Sequence, residues 1–243
     1  MILVKLNAIN STNSYLKKLS KEADTANWTV VTAEHQTHGR GQMGTIWVSE
    51  KGKNLICSIL IKINDFKVED HFYLNCAISL GIHDALSNYD ILQLMIKWPN
   101  DIMSVNKKLG GILIENTLSG NMINQTVLGI GLNINQNVFP DNLPKAVSMK
   151  QLLNKDFDRN IILNQIVASI KMKIDILNQR KFGDLHRAYE QVLFKKNIPQ
   201  MFENSNQEKF IGKISGISKQ GKIIIELENE IKKEFDFKEI KFL

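Results

Sequence analysis

Six residues, Gly39-Arg40-Gly41-Gln42-Met43-Gly44, spell the G-x-G-x-x-G pattern of a dinucleotide-binding turn, yet the residues on their C-terminal side argue against that fold. Such a turn needs a strand before it and a helix opening at its last glycine. Here Thr45-Ile46-Trp47-Val48 comes next, then a turn at Lys51-Gly52-Lys53, then an apolar strand over 55–63. Two readings of the loop remain. It is a plain glycine turn, or its backbone N–H groups form a nest around an anion, with Arg40 offering a planar fork to phosphate or carboxylate.

The hydrophobic periodicity gives both element types. Residues 2–6 read as a strand, and Ser11 or Thr12 caps a helix to about residue 21, with Tyr15, Leu16 and Leu19 on its apolar face. Strands are expected over 28–33 and 55–63, a helix over 70–88, and a strand over 94–98 stopped by Pro99. A turn near 105–107, strands over 109–115 and 125–133, and a loop over 136–147 come next. A long amphipathic helix over 163–177 is broken at Gly183, and a short helix runs on to about 193. From residue 195 the pattern becomes short strands over 210–217, 222–227 and 231–237, which points to a small appended β-barrel. The expected organisation is α+β, with domains at 1–194 and 195–243 packed together, since no flexible linker separates them.

The formal charge is 31 − 25 = +6, but only four basic residues are Arg (Arg40, Arg159, Arg180, Arg187), so the excess is spread over lysines, a weak argument for nucleic acid. The two cysteines, Cys57 and Cys76, sit in apolar stretches without C-x-x-C spacing, read as small buried hydrophobes of a reducing compartment. With neither a secretory leader nor a membrane-length apolar run, a cytoplasmic location is expected. The five histidines make no metal-ligand spacing, and His83 and His186 read as helix-surface residues. No P-loop, H-E-x-x-H or G-x-S-x-G occurs.

Three further segments carry chemistry. In Lys97-Trp98-Pro99-Asn100-Asp101 the proline holds Asn100 and Asp101 at a strand end. In Lys107-Lys108-Leu109-Gly110-Gly111, Lys107 or Lys108 enters a strand whose glycines admit close approach of a ligand or another backbone, near Asp101 across a hairpin. In Gly129-Ile130-Gly131-Leu132-Asn133, a second glycine-interrupted strand ends on an amide that both donates and accepts.

Together these segments resemble the biotin–protein ligase family over nearly the whole chain. Ser11-Thr12-Asn13, Gln36 with Gly39-Arg40-Gly41 and Trp47, Lys97-Trp98-Pro99-Asn100-Asp101, Lys108 through Glu115, and Gly129 through Asn133 appear in the family's order and spacing. The resemblance implies a mixed, largely antiparallel sheet flanked by helices, like that of class II synthetases and biotin ligases, with a small C-terminal SH3-like barrel. It implies that Ser11, Thr12, Asn13 and Gln36, with the backbone of Gly39, Arg40 and Gly41, bind the ureido ring of biotin, with Gln42 and Gly111 also in the biotin site. Trp47 would line the acyl chain. Arg40 and Lys108 would hold the carboxylate and α-phosphate, Asn100 and Asn133 would meet the nucleotide, and Asp101 would orient the incoming lysine or magnesium, itself held mainly through ATP. Residues 143–148 resemble the loop over the bound adenylate. Two positions depart from the pattern: Gln42 and Thr45 stand where relatives often carry basic residues. The family's bifunctional members carry a DNA-binding helix-turn-helix before the catalytic part. Ser11 lies so near the start that specific DNA binding is not expected, nor is membrane association.

The implied reaction forms biotinyl-5′-AMP from biotin and Mg·ATP, then biotinylates a lysine of biotin carboxyl carrier protein. Lipoate–protein ligase is the nearest rival, and the polar set at 11–13 and 36 favours a ureido ring over a dithiolane. A non-enzymatic nucleic-acid binder using the basic tail is the rival from another class, and a homodimer is left open.

Overall fold

The computed structural model describes residues 1–22 and 24–243. Strand β1 (Ile2–Ile9) leads into helix α1 (Thr12–Glu22), and β2 (Thr29–Gln36) returns parallel to β1. After the glycine loop come β3 (Leu55–Lys67), α2 (His71–Leu86), β4 (Leu94–Lys97), β5 (Asp101–Ser104), β6 (Lys107–Ser119) and β7 (Met122–Leu132). These strands form one seven-stranded mixed sheet in the order β1-β2-β3-β7-β6-β5-β4, antiparallel except at β1–β2. Helices α3 (Met149–Leu153), α4 (Arg159–Asn178) and α5 (Phe182–Gln191) complete this part.

The sheet's two faces carry different loads. On one, Leu16 of α1 meets Val31, Leu60 and Val127 in a small core of its own. On the other, α2 packs Phe72, Leu74, Cys76, Ile78 and Ile82 into the main core with Ile166, Ile170 and Ile174 of α4. Near-complete burial explains why α2 shows weak amphipathicity: it faces sheet and helices at once.

The tail forms a five-stranded antiparallel sheet, β11-β10-β9-β8-β12, from β8 (Pro199–Asn204), β9 (Lys209–Ile217), β10 (Ile223–Glu226), β11 (Lys232–Phe235) and β12 (Ile240–Phe242). Its end strands do not pair, so the sheet is open and does not close into the small β-barrel that the sequence pointed to. The tail's Phe202, Ile214, Ile217, Ile223, Ile225 and Ile240 belong to the same continuous core as the main sheet. Trp98 Nε1 donates to Gly221 O at 2.9 Å and its ring meets Phe237 edge-on.

Other elements differ from the sequence reading. Gly183 lies inside α5; the break falls at 179–181, where Arg180 takes a positive φ of 57° just past the C-terminal cap of α4. Pro99 ends β4, but the chain turns at once and returns as β5, which places Asp101 opposite Gly111. Helix α3 begins at a capping box formed by Ser148 and Gln151. His83 and His186 are largely buried rather than surface residues: His83 Nε2 bonds Leu94 O at 3.2 Å, and His186 Nε2 bonds Ile217 O at 2.8 Å, joining α5 to the tail.

Candidate active site

A cavity of about 560 Å³ opens on the face of the sheet that carries α1. Among the predicted site residues, Ser11, Thr12, Asn13, Gln36, Arg40, Gly41, Gln42, Trp47, Asn100, Asp101, Lys108, Gly111 and Asn133 all line it. Gly39 does not; it lies behind Trp47, whose backbone N–H donates to Gly39 O at 3.0 Å.

The start of α1 supplies a buried polar cluster. Ser11, Thr12 and Asn13 are each under 5% exposed. Thr12 donates from its backbone N–H (2.7 Å) and its hydroxyl (3.0 Å) to Gln36 Oε1. Ser58, fully buried on β3, places its hydroxyl against Thr12 Oγ1 at 2.7 Å and against Asn13 Oδ1. Asn13 Nδ2 donates to Glu115 Oε2 at 3.0 Å. Both ends of the Asn13 amide are therefore fixed, a precondition for reading a ligand's donors and acceptors.

Two glycines of β7 create the room. A Cβ on Gly129 would lie 2.4 Å from Asn13 Oδ1, and one on Gly131 would lie 2.4 Å from the Trp47 indole. The glycine-interrupted strand thus carries the polar cluster at one residue and the tryptophan two residues on, on the same face. Trp47 Nε1 is buried without a hydrogen-bond partner among the described residues, a donor left for a ligand at a ligand-sized cavity.

The glycine loop is held by Gly41 N–H to Thr45 O (2.7 Å) and Thr45 N–H to Gln42 O (3.0 Å), around a tight turn at Gln42–Gly44 where Met43 and Gly44 take positive φ. Arg40 Nη2 reaches Glu115 Oε2 at 2.8 Å, and Lys17 Nζ reaches Glu115 Oε1 at 3.2 Å. Burial raises the Glu115 carboxyl's pKa, but the Asn13 bond and the Arg40 and Lys17 charges outweigh it and hold it below the ordinary value.

The other cation, Lys108, enters β6 with its Nζ 2.6 Å from Asp101 Oδ1 and 5.9 Å from the Trp47 ring centre, while Lys107 is exposed. Each predicted cation thus rests on its own carboxylate. Asn100 donates from Nδ2 to Ile112 O at 2.7 Å, so its amide braces the β4–β5 turn against β6. Asn133 is 3% exposed, and its Nδ2 donates to Val147 O at 3.2 Å, clamping the 143–147 loop. That loop pairs with the start of β6 through Lys108 N–H to Lys145 O (2.6 Å) and Val147 N–H to Lys108 O (3.0 Å), and lays Leu143 and Ala146 over the cavity.

Sequence reasoning missed four contributors: Ser58, Glu115, Lys97 and the tail. Burial lowers the pKa of Lys97 most; Asp101 opposes this, and the nearby Lys108, Lys145 and Lys195 reinforce it. Its Nζ stands 4.7 Å over the Phe242 ring, and Phe237, Lys241 and Phe242 reach the cavity wall. Glu115 closes the Gly-Gly-Ile-Leu-Ile-Glu run, and its even spacing from Gly111 along a strand puts the two on one face; that signal was readable. Cys57 also lines the cavity, with burial pushing its thiol up to about 12. Burial therefore disfavours the thiolate form.

Proteins of known activity are similar to this chain in sequence and fold. The biotin/lipoate A/B protein ligase family model matches residues 6–133. The bifunctional ligase/repressor BirA of Bacillus subtilis is 28% identical over 208 residues, covering 84% of this chain and 63% of that protein's length. The biotin–[acetyl-CoA-carboxylase] ligase of Mycobacterium tuberculosis is 30% identical over 168 residues, 68% of this chain and 60% of the relative. Among solved structures, the biotin protein ligase of Aquifex aeolicus in complex with biotin and ATP superposes with a TM-score of 0.83 at 27% identity, covering 100% of this chain and 98% of that one.

Proposed function

The chain belongs to the biotin/lipoate A/B protein ligase family, and from that premise we propose that it activates biotin with ATP and transfers the biotinyl group to a lysine of a biotin carboxyl carrier protein. The observation that carries this reading is one cavity lined both by a fixed polar cluster at 11–13 and 36 and by the cations Arg40 and Lys108. The full-length likeness to a ligase solved with biotin and ATP supports it. A cyclic urea offers two N–H donors and one carbonyl acceptor, which suits hydroxyl and amide partners; a dithiolane offers none.

In the first step a biotin carboxylate oxygen attacks the α-phosphorus, the Pα–O bond to the β-phosphate breaks, and pyrophosphate leaves. Two anions must meet, so Arg40 and Lys108 would neutralise them, and positioning does the rest. In the second step the carrier amine attacks the acyl carbon and AMP leaves. The amine, with a reference pKa of about 10.4, must first lose a proton. Asp101, which pairs with Lys108 at 2.6 Å, would accept or steer it. Magnesium would come mainly with the nucleotide, with Asp101 a candidate to orient it. Residues 1–194 would form the catalytic domain and 195–243 the small C-terminal one, whose Lys241 and Phe242 border the cavity.

ATP–pyrophosphate exchange that requires biotin tests the proposal. Exchange with lipoate in place of biotin would transfer the reading to the lipoate branch, and exchange with neither would overturn it. No helix among the described residues is long and apolar enough to cross a membrane.

A further inference from the structure

Arg40, the glycine loop's sole cation, does not stand alone: Glu115 binds it at 2.8 Å. A guanidinium paired one-to-one with a carboxylate presents little net charge to an incoming anion, and the carboxylate repels that anion. Helix α1 removes the difficulty. Lys17, one turn beyond the Ser11-Thr12-Asn13 cluster, places Nζ 3.2 Å from the other oxygen of the same carboxylate. The three groups sum to +1, with Asn13 Nδ2 as a fourth, neutral donor to Oε2.

We propose that Lys17 is a charge-compensating positioning residue: it neutralises Glu115, so that this carboxylate can orient Arg40 and Asn13 while Arg40 still offers a full positive charge to the substrate's carboxylate or phosphate. The inference rests on the proposed biotin-activating reaction for the identity of those anions. The division of the carboxylate is its structural basis. Oε2 takes the two groups that face the cavity, Arg40 and Asn13, and Oε1 takes Lys17. Glu115 is only 18% exposed, so solvent screens it incompletely, whereas Lys17 at 39% and Arg40 at 43% remain reachable.

Charge can be removed from either end of this pair. Lys17→Met keeps the alkyl stem but leaves Arg40 and Glu115 at net zero. Glu115→Gln can keep its carbonyl oxygen at the Oε2 position, still accepting from Arg40 and Asn13, with its amide N–H₂ turned to the place Lys17 vacates. The double variant Lys17→Met/Glu115→Gln therefore restores both the net charge of +1 and the orientation. We expect kcat/KM for ATP in biotin-dependent exchange to fall roughly tenfold in Lys17→Met, and to return to within about threefold of the parent in the double variant. Equilibrium binding of ATP alone should follow the same order. A purely structural role for Lys17 would not be repaired by removing a second charge. An unchanged Lys17→Met, or a double variant no better than the single, overturns the proposal. If the unaltered protein shows no biotin-dependent exchange, the functional reading fails, and the ATP-binding arm still judges the charge argument.

Discussion

Replacing Gly131 with alanine tests the most tightly constrained contact in the site. The new Cβ would lie 2.4, 2.7 and 2.8 Å from three indole carbons of Trp47. Carbon atoms at rest keep about 3.5–4.0 Å, so the ring must retreat by about 1 Å. Gly131 sits mid-sheet, paired with Ile56 on one side and Gly111 on the other. The sheet therefore stays and the tryptophan moves, since it hangs from a loop whose neighbours Ile46 and Val48 are exposed. Misplacing a substrate-positioning group by 1 Å can cost about a hundredfold in rate. We therefore expect kcat/KM for biotin in the exchange assay to fall by one to two orders of magnitude, with a thermal midpoint changed little. Displacement of Trp47 should appear in the fluorescence of Trp47, resolved with Trp28→Phe and Trp98→Phe backgrounds. Catalysis within twofold of the parent would show that the indole's seat on β7 has no part in positioning the substrate.

Four other substitutions probe a cation and its neighbour, a carboxylate and a helix. Lys108→Ala should lower adenylation by about a hundredfold, on the order of 3 kcal/mol at the transition state, and Lys107→Ala should stay near the parent; equal losses in single-turnover adenylation would refute the assignment. The carboxyl of Glu115 has a folded pKa below its ordinary 4.5, so its contribution to stability is present above that value and is lost as pH falls through the lowered one. Glu115→Gln should then flatten the decline of the unfolding free energy as pH falls below about 5 relative to the parent, and an unchanged slope in urea titrations would contradict this. Gly183→Ala should raise the unfolding free energy by about 0.5–1 kcal/mol, because the residue lies within α5 and an added Cβ meets nothing nearer than 3.7 Å; destabilisation in the same titration would show that the helix does not continue through it.

The failures of the sequence reading share a cause with the site's construction. Elements declared by local periodicity were legible: α2 and α4 from their apolar spacing, β3, β6 and β7 from their runs. What the sequence hid depends on partners distant along the chain. Asp101 reads as a residue at a strand end beside Pro99, and it opens a new strand where Asn100 and Ile112 exchange backbone and side-chain bonds. Gly183 reads as a breaker, yet the reversal needs only a left-handed residue, and Arg180 supplies it. Strand β12 is three residues long and exists through its pairing with β8. The candidate site shows the same division. Of the residues that line the cavity, those in compact motifs were nameable, and the tail's Phe237, Lys241 and Phe242 were not. The residues that fix them, Glu115 under Asn13 and Arg40, Ser58 between Thr12 and Asn13, and the tail beside Lys97, lie 45 to 102 positions away in the cases where a side-chain bond joins them. A glycine can be read as room for something, but the sequence does not say for what. Gly129 and Gly131 gain their meaning only when α1 and the glycine loop are laid on β7, one bringing an amide and the other an indole. In this chain the groups that would touch the substrate are local, and their orientation is a property of the tertiary fold.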